Sequence, residues 1–190
     1  MIIREATFDD SAAVAALHAA SWRHAYREAL SEAYLRTDVE AERAQHWQAM
    51  LSAPSSNQHT LLAESEGSLK GFACFFGLES EQWGSYLNNI HVSQADQGSG
   101  IGALLLQAVA SLCIQAYGEG GLYLWVLQSN LKAQSFYAKF GAINAESDLW
   151  SAPGGTEAPM FRFSWPSLRA LQAAMASPMR VFSNSGMSLL

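Results

Sequence analysis

The sequence predicts an α/β (α+β) fold, a mixed and largely antiparallel sheet of six to seven strands with helices packed on it. Three observations carry that prediction. Between Thr60 and Val92, apolar runs are separated by short polar turns, the pattern of an antiparallel meander. On either side of it, apolar residues recur at helical spacing. Leu122 to Leu127 is a continuous apolar run, as in a strand buried on both faces. A sheet and its helices bury both apolar surfaces in one core, and 190 residues suffice for one such domain.

In chain order, Met1 to Ala6 reads as a short strand. Thr7-Phe8-Asp9-Asp10 fits a capping box, with Asp10 three residues after Thr7. The helix that follows puts Val14, Leu17, Ser21 and Trp22 on one face and continues through His24 and Tyr26. A second helix starts at Asp38, with Arg43, Trp47, Met50 and Leu51 at helical spacing, and Ala53 to Asn57 is a loop. Thr60 to Glu64 and Leu69 to Leu78 are strands joined by the turn Ser65-Glu66-Gly67-Ser68. Glu79 to Gly84 is a polar connection and Tyr86 to Val92 a third strand. Gly98 to Tyr117 is a helix whose stripe is Ile101, Leu104, Leu105, Ala108, Leu112 and Cys113. Gly118 to Gly121 ends it. After the strand Leu122 to Leu127, Leu131 to Phe140 is a helix closed by Gly141. Ser147 to Trp150 and Met160 to Trp165 form a hairpin around Pro153-Gly154-Gly155. Ser167 to Ala176 is one more amphipathic helix, and Ser177 to Leu190 is an expected flexible tail or interface arm.

Composition narrows the function. Hydrophobic residues make up 49% and charged ones 15%, a globular balance. A net charge of −6 argues against nucleic acid, which is held by clustered Lys and Arg. It would weakly favour a cationic small molecule. Cys74 and Cys113 sit in apolar runs and read as buried reduced thiols. The start of the chain reaches charge at Arg4 and reads as no secretory signal. The greasiest stretch, Leu104 to Ile114, is too short for a membrane span. A cytoplasmic protein with no membrane partner and no metal is the expectation.

Gln97-Gly98-Ser99-Gly100-Ile101-Gly102 lies between a strand and a helix. Glycines let successive N–H groups converge, and the helix dipole adds positive potential there, so a diphosphate fits without a lysine. No lysine is near in sequence, which removes the Gly-Lys-Ser/Thr type of phosphate loop. A Rossmann dinucleotide site matches the letters Gly98 to Ala103. However, Glu119 precedes the next strand instead of ending it, and an antiparallel meander does not build a doubly wound sheet.

A second block follows: Leu124-Trp125-Val126-Leu127-Gln128-Ser129-Asn130, then Ala133, Phe136-Tyr137 and Phe140-Gly141-Ala142. Val92 through Leu105 and Leu124 through Ala142 together resemble the GCN5-related N-acetyltransferase (GNAT) superfamily. Its hallmarks are V-x-P-x-x-(R/Q)-G-x-G-h-G-x-x-L and, later, an N-x-x-A-x-x-h-Y-x-x-x-G-F block. Arg4-Glu5-Ala6, Ser21-Trp22, Tyr26 and Tyr34-Leu35 are similar to one branch of it. The resemblance spans Ile3 to Trp165. Gln94 replaces the usual proline, Gln97 the commoner arginine and Ala142 an aromatic residue.

The resemblance implies a sheet flanked by helices on both faces, with residues 1–166 as the acetyltransferase domain and 167–190 as a C-terminal extension. It implies acetyl-CoA as donor substrate and a primary amine of a small molecule or peptide as acceptor. Ile90, His91 and Val92 would pair with the pantetheine arm. Gln97, Gly98, Ser99, Gly100, Ile101, Gly102 and Ala103 would hold the diphosphate, Asn130 would contact the cofactor, and Tyr137 would protonate the leaving thiolate. Many relatives place an acid where this chain has Tyr86. The base is therefore left among His91, Glu79, Glu81 and a water chain. An acceptor pocket is expected near Trp22, Tyr26, Trp83, Trp125 and Trp150, with Glu79 and Glu81 drawing an ammonium. A non-catalytic acyl-CoA sensor is the rival reading, and whether the chain is a monomer or a homodimer is left open.

Overall fold

A computed structural model describes residues 1–176 of the chain; the expected tail or arm at 177–190 lies outside them. Seven strands form one sheet: β1 (Ile2–Glu5), β2 (Gln58–Ser65), β3 (Ser68–Ser80), β4 (Gly84–Val92), β5 (Leu122–Leu127), β6 (Ile143–Ser151) and β7 (Glu157–Trp165), in the order β1-β2-β3-β4-β5-β7-β6. All neighbours are antiparallel except β4 and β5. The helices are α1 (Ser11–Ala25), α2 (Glu32–Thr37), α3 (Val39–Ser52), α4 (Ile101–Tyr117), α5 (Leu131–Lys139) and α6 (Leu168–Ala176).

Strand alternation divides the core between the two faces of the sheet. Leu62, Phe72 and Cys74 point one way and pack under Val14 and Ala15 of α1 and Trp47 and Leu51 of α3. Leu61, Ala63, Ala73, Phe75 and Leu87 point the other way, against α4 and α6. Each fully buried large apolar side chain there contributes about 1.5–3 kcal/mol.

Several expectations are corrected. In α4 the buried stripe is Ile101, Leu105, Leu106, Val109, Ala110 and Cys113, whereas Leu104 is exposed. The helix is flanked by the sheet and by α6, so its buried arc is rotated from the one that spacing alone suggested. α2 is an element the pattern did not reveal. Six residues are too few to show a period; Ser31 caps it by accepting from the Tyr34 N–H. At the N-terminus, Phe8–Asp10 is a 3-10 turn before α1. The Asp10 carboxylate accepts from the Thr7 N–H and also clamps Arg4. β3 runs on to Ser80, so the connection before β4 is shorter than Glu79 to Gly84. The β6–β7 hairpin is longer than expected, because exposed β6 follows no apolar alternation.

Two irregularities open the sheet. β4 and β5 pair in parallel only at Ser85–Leu122 and Tyr86–Tyr123, and no further pair forms toward their C-terminal ends. β4 also carries a bulge: Cys74 pairs with Asn89 and Phe75 with Leu87, leaving Asn88 as the extra residue.

Candidate active site

Where β4 and β5 part, a groove of about 520 Å³ opens. Ile90, His91 and Val92 form its β4 edge, and its far wall comes from α5. After Val92, Ser93 caps a short 3-10 turn by accepting from the Asp96 N–H at 3.3 Å. Gly98 (φ 84°) and Gly100 (φ 90°) then take left-handed conformations. A Cβ there would be strained, and the double turn aims the first N–H groups of α4 into the groove with no carbonyl partners of their own.

Gln97, Gly98, Gly100, Ile101, Gly102, Ala103, Asn130 and Tyr137 all line this groove. Ser99 does not: its hydroxyl donates to the Asp96 carbonyl at 2.5 Å, on the exposed side of the turn. Asn130 caps α5, its Oδ1 accepting from the Ala133 N–H at 3.1 Å. Sequence proximity also misled about charge. Lys132, from α5, reaches across to donate to Gln97 Oε1 at 2.6 Å and lines the groove, as does Lys139. Their signal was the Asn130–Gly141 block itself, since a helix started there must face the loop.

Tyr137 is almost fully buried, and its ring packs edge-on against Phe136 and Trp165. Its hydroxyl makes no hydrogen bond among the described residues. Burial pushes the phenol well above its usual pKa, with Tyr26 adding in the same sense. It is therefore a protonated donor throughout the neutral range.

A second cleft, of about 540 Å³, lies on the α1/α3 side of the sheet. Tyr26, Trp125 and Val126 line both cavities and so mark their junction. Trp22 and Trp150 line the second cleft, meeting edge-on at 5.8 Å. Trp83 does not; it packs against the Arg162 guanidinium. Tyr86 stacks on Tyr123 at 4.9 Å, and burial pushes it up to about 12, so it is no base at neutral pH. Strand alternation alone places Asn88 and Asn89 on opposite faces. The bulge brings both into this cleft.

Glu79 and Glu81 line neither cavity; Glu79 accepts from Asn57 Nδ2 at 3.2 Å. The charged residue in the second cleft is instead Arg43, joined by His46. Arg43 was visible in the helical stripe with Trp47, but nothing in that stripe showed that its head would face a cavity.

Behind the shared wall, His18 is 1% exposed. Its Nδ1 accepts from the Trp47 indole N–H at 2.9 Å, which puts the proton on Nε2. Nε2 has no partner. His18 faces His91 at 4.6 Å between ring centroids. Burial, reinforced by Arg43, pushes His91 down to about 4; burial, then the facing His91 and Arg43, hold His18 well below its usual value, so both rings are neutral at pH 7. Burial also raises the thiols, Cys74 to about 11 and Cys113 to about 12, which leaves neither a nucleophile. No helix among the described residues is long and apolar enough to cross a membrane.

The profile of the Acetyltransferase (GNAT) family matches residues 19–142. The chain is 28% identical, over 91% of its length and 97% of the relative's, to the uncharacterized N-acetyltransferase YuaI of Bacillus subtilis. Among solved structures it is similar to the PaiA N-acetyltransferase of Thermoplasma acidophilum in complex with coenzyme A (TM-score 0.70, 18% identity, 87% of this chain and 98% of that one). It is also similar to yncA of Salmonella typhimurium, solved with its cofactor acetyl-CoA (TM-score 0.63, 19% identity, 87% and 93%). At these identities the structural likeness speaks for the fold.

Proposed function

The chain belongs to the acetyltransferase (GNAT) family, and from that premise we propose that it is an acetyl-CoA-dependent N-acetyltransferase acting directly on a primary amine. One observation carries the reading: the groove with the glycine loop at one end meets the aromatic cleft at Tyr26, Trp125 and Val126. A thioester laid along the first would present its carbonyl to an amine in the second. That coenzyme A accompanies the PaiA and yncA structures supports the donor.

In this reading the N–H groups at Gly98 to Ala103 hold the diphosphate, helped by Lys132 in place of the arginine that Gln97 lacks. The freed edge of β4 at Ile90 to Val92 pairs with the pantetheine amides as an added strand would. The amine nitrogen attacks the thioester carbon, the C–S bond breaks, and the Tyr137 hydroxyl gives its proton to the departing sulfur. The amine's own proton leaves to water, and water returns a proton to the Tyr137 phenolate, which its raised pKa favours. The cytoplasm, where thiols such as Cys74 and Cys113 stay reduced, is the compartment this reading uses.

Thiol release from acetyl-CoA, screened against amines, amino acids, aminoglycosides and peptides, tests the activity. Tyr137→Phe should lower single-turnover rate about a hundredfold, within the range for a lost general acid, with acetyl-CoA affinity nearly unchanged. The sensor alternative draws on the second cleft, which no Asp or Glu lines among the described residues. Tight acetyl-CoA binding with no thiol release from any acceptor would establish it.

A further inference from the structure

The second cleft holds a cation where an amine-only acceptor would call for an anion. Resting on the acyl-transfer reading above, we propose that the acceptor is an amino acid, whose carboxylate is anchored by Arg43 while its amine reaches the junction at Tyr26.

Arg43 is only 7% exposed. Its Nε and Nη2 donate to the two oxygens of Glu42, which in turn accepts from the Tyr34 hydroxyl at 2.9 Å. The guanidinium also lies over the Trp22 ring, 4.2 Å from its centroid. These contacts fix the plane of the group and use one edge of it. Nη1 donates to nothing among the described residues, and the residue faces an open cavity. An oriented, mostly buried guanidinium with an unused donor is a receptor for a carboxylate oxygen.

The surroundings agree. Among the described residues no Asp or Glu lines this cleft, although the chain carries a net charge of −6. Burial holds His46, His18 and His91 toward their neutral forms and the field of Arg43 adds to it at each; only at His46 does Glu42 oppose it. Asn88 and Asn89, brought together by the bulge, add amide donors. The Trp22–Trp150 wall would pack the apolar part of an amino-acid side chain. An amine without a carboxylate would leave the Nη1 donor of Arg43 unmatched.

The test compares matched acceptors with the whole protein: phenylalanine against phenethylamine and leucine against isoamylamine, by thiol release. The amino acid of each pair should be favoured in kcat/KM about ten- to a hundredfold, the range for a charged hydrogen bond. Arg43→Met should collapse that ratio toward one. Should that variant unfold, Arg43→Lys, which keeps the charge and loses the fork, should lower the ratio without abolishing it. Equal or better turnover of the amines lacking a carboxylate overturns the proposal and leaves the transferase reading intact. If no acceptor releases thiol although acetyl-CoA binds, the transferase reading fails. Hydrocinnamate, which has the carboxylate and no amine, then decides the anion site through tryptophan fluorescence. A shift that needs more hydrocinnamate in Arg43→Lys keeps the site; no shift, or one unchanged in that variant, removes it.

Discussion

Lowering the pH should unfold this protein through histidines that cannot accept protons while the chain is folded. His18 from α1 and His91 from β4 face one another behind the wall shared by the two cavities, beside Arg43 and His46 of α3. In the unfolded chain each histidine titrates near 6.5, whereas folded His91 titrates near 4 and His18 well below its usual value. Above pH 6.5 neither state binds the proton, and the groups contribute no pH dependence. As pH falls below that value the unfolded chain takes up protons that the folded chain refuses, so stability falls. Each such histidine contributes about 1.4 kcal/mol per pH unit. Through His91 alone the loss between pH 6.5 and 4 is about 3 kcal/mol. His18 and His46 add losses of the same sign. Against a typical domain stability of about 5–15 kcal/mol, the His91 loss alone is a sizeable fraction. The assay is urea unfolding at a series of pH values between about 6.5 and 5, where carboxylates remain ionised in the unfolded chain. The expected slope corresponds to two or more protons, and His91→Asn should reduce it by one. A flat profile over that window would refute the picture of neutral, desolvated rings.

Three further outcomes follow from the geometry. Gly100→Ala places a Cβ in a left-handed turn at φ 90° and should cost about 1–2 kcal/mol of stability, read in thermal melts, with acetyl-CoA binding weakened in calorimetry. Lys132→Met removes an exposed cation from the groove rim. It should weaken acetyl-CoA about two- to fivefold at low salt, and the difference should shrink as salt is added. Arg4→Met breaks the clamp to Asp10 and Glu64, at 2.7 and 2.8 Å, and should cost about 1 kcal/mol at neutral pH. Because Arg4 holds the Asp10 carboxylate well below its usual range, that stabilisation is present above pH 4 and fades as acid protonates it; a cost persisting undiminished at low pH would contradict the assignment.

The amino-acid sequence by itself determined the family, the order of the strands and longer helices and the course of the glycine loop. These are local or regularly spaced features. A turn that needs left-handed residues must recruit glycines at Gly98 and Gly100, and strands and helices announce themselves by period. Elements with no period stayed hidden, as with the six residues of α2 and the exposed length of β6. The tertiary structure alone decided the electrostatics of both cavities. Lys132 meets Gln97 across 35 positions because α5 packs beside the loop. The bulge in β4 moves Asn88 to the face that alternation denies it, and the junction of α1, α3 and the β6–β7 hairpin turns Arg43 inward while Glu79 and Glu81 stay outside. Charge in a cavity depends on which distant segments converge there, and an overall acidic composition says nothing about that convergence.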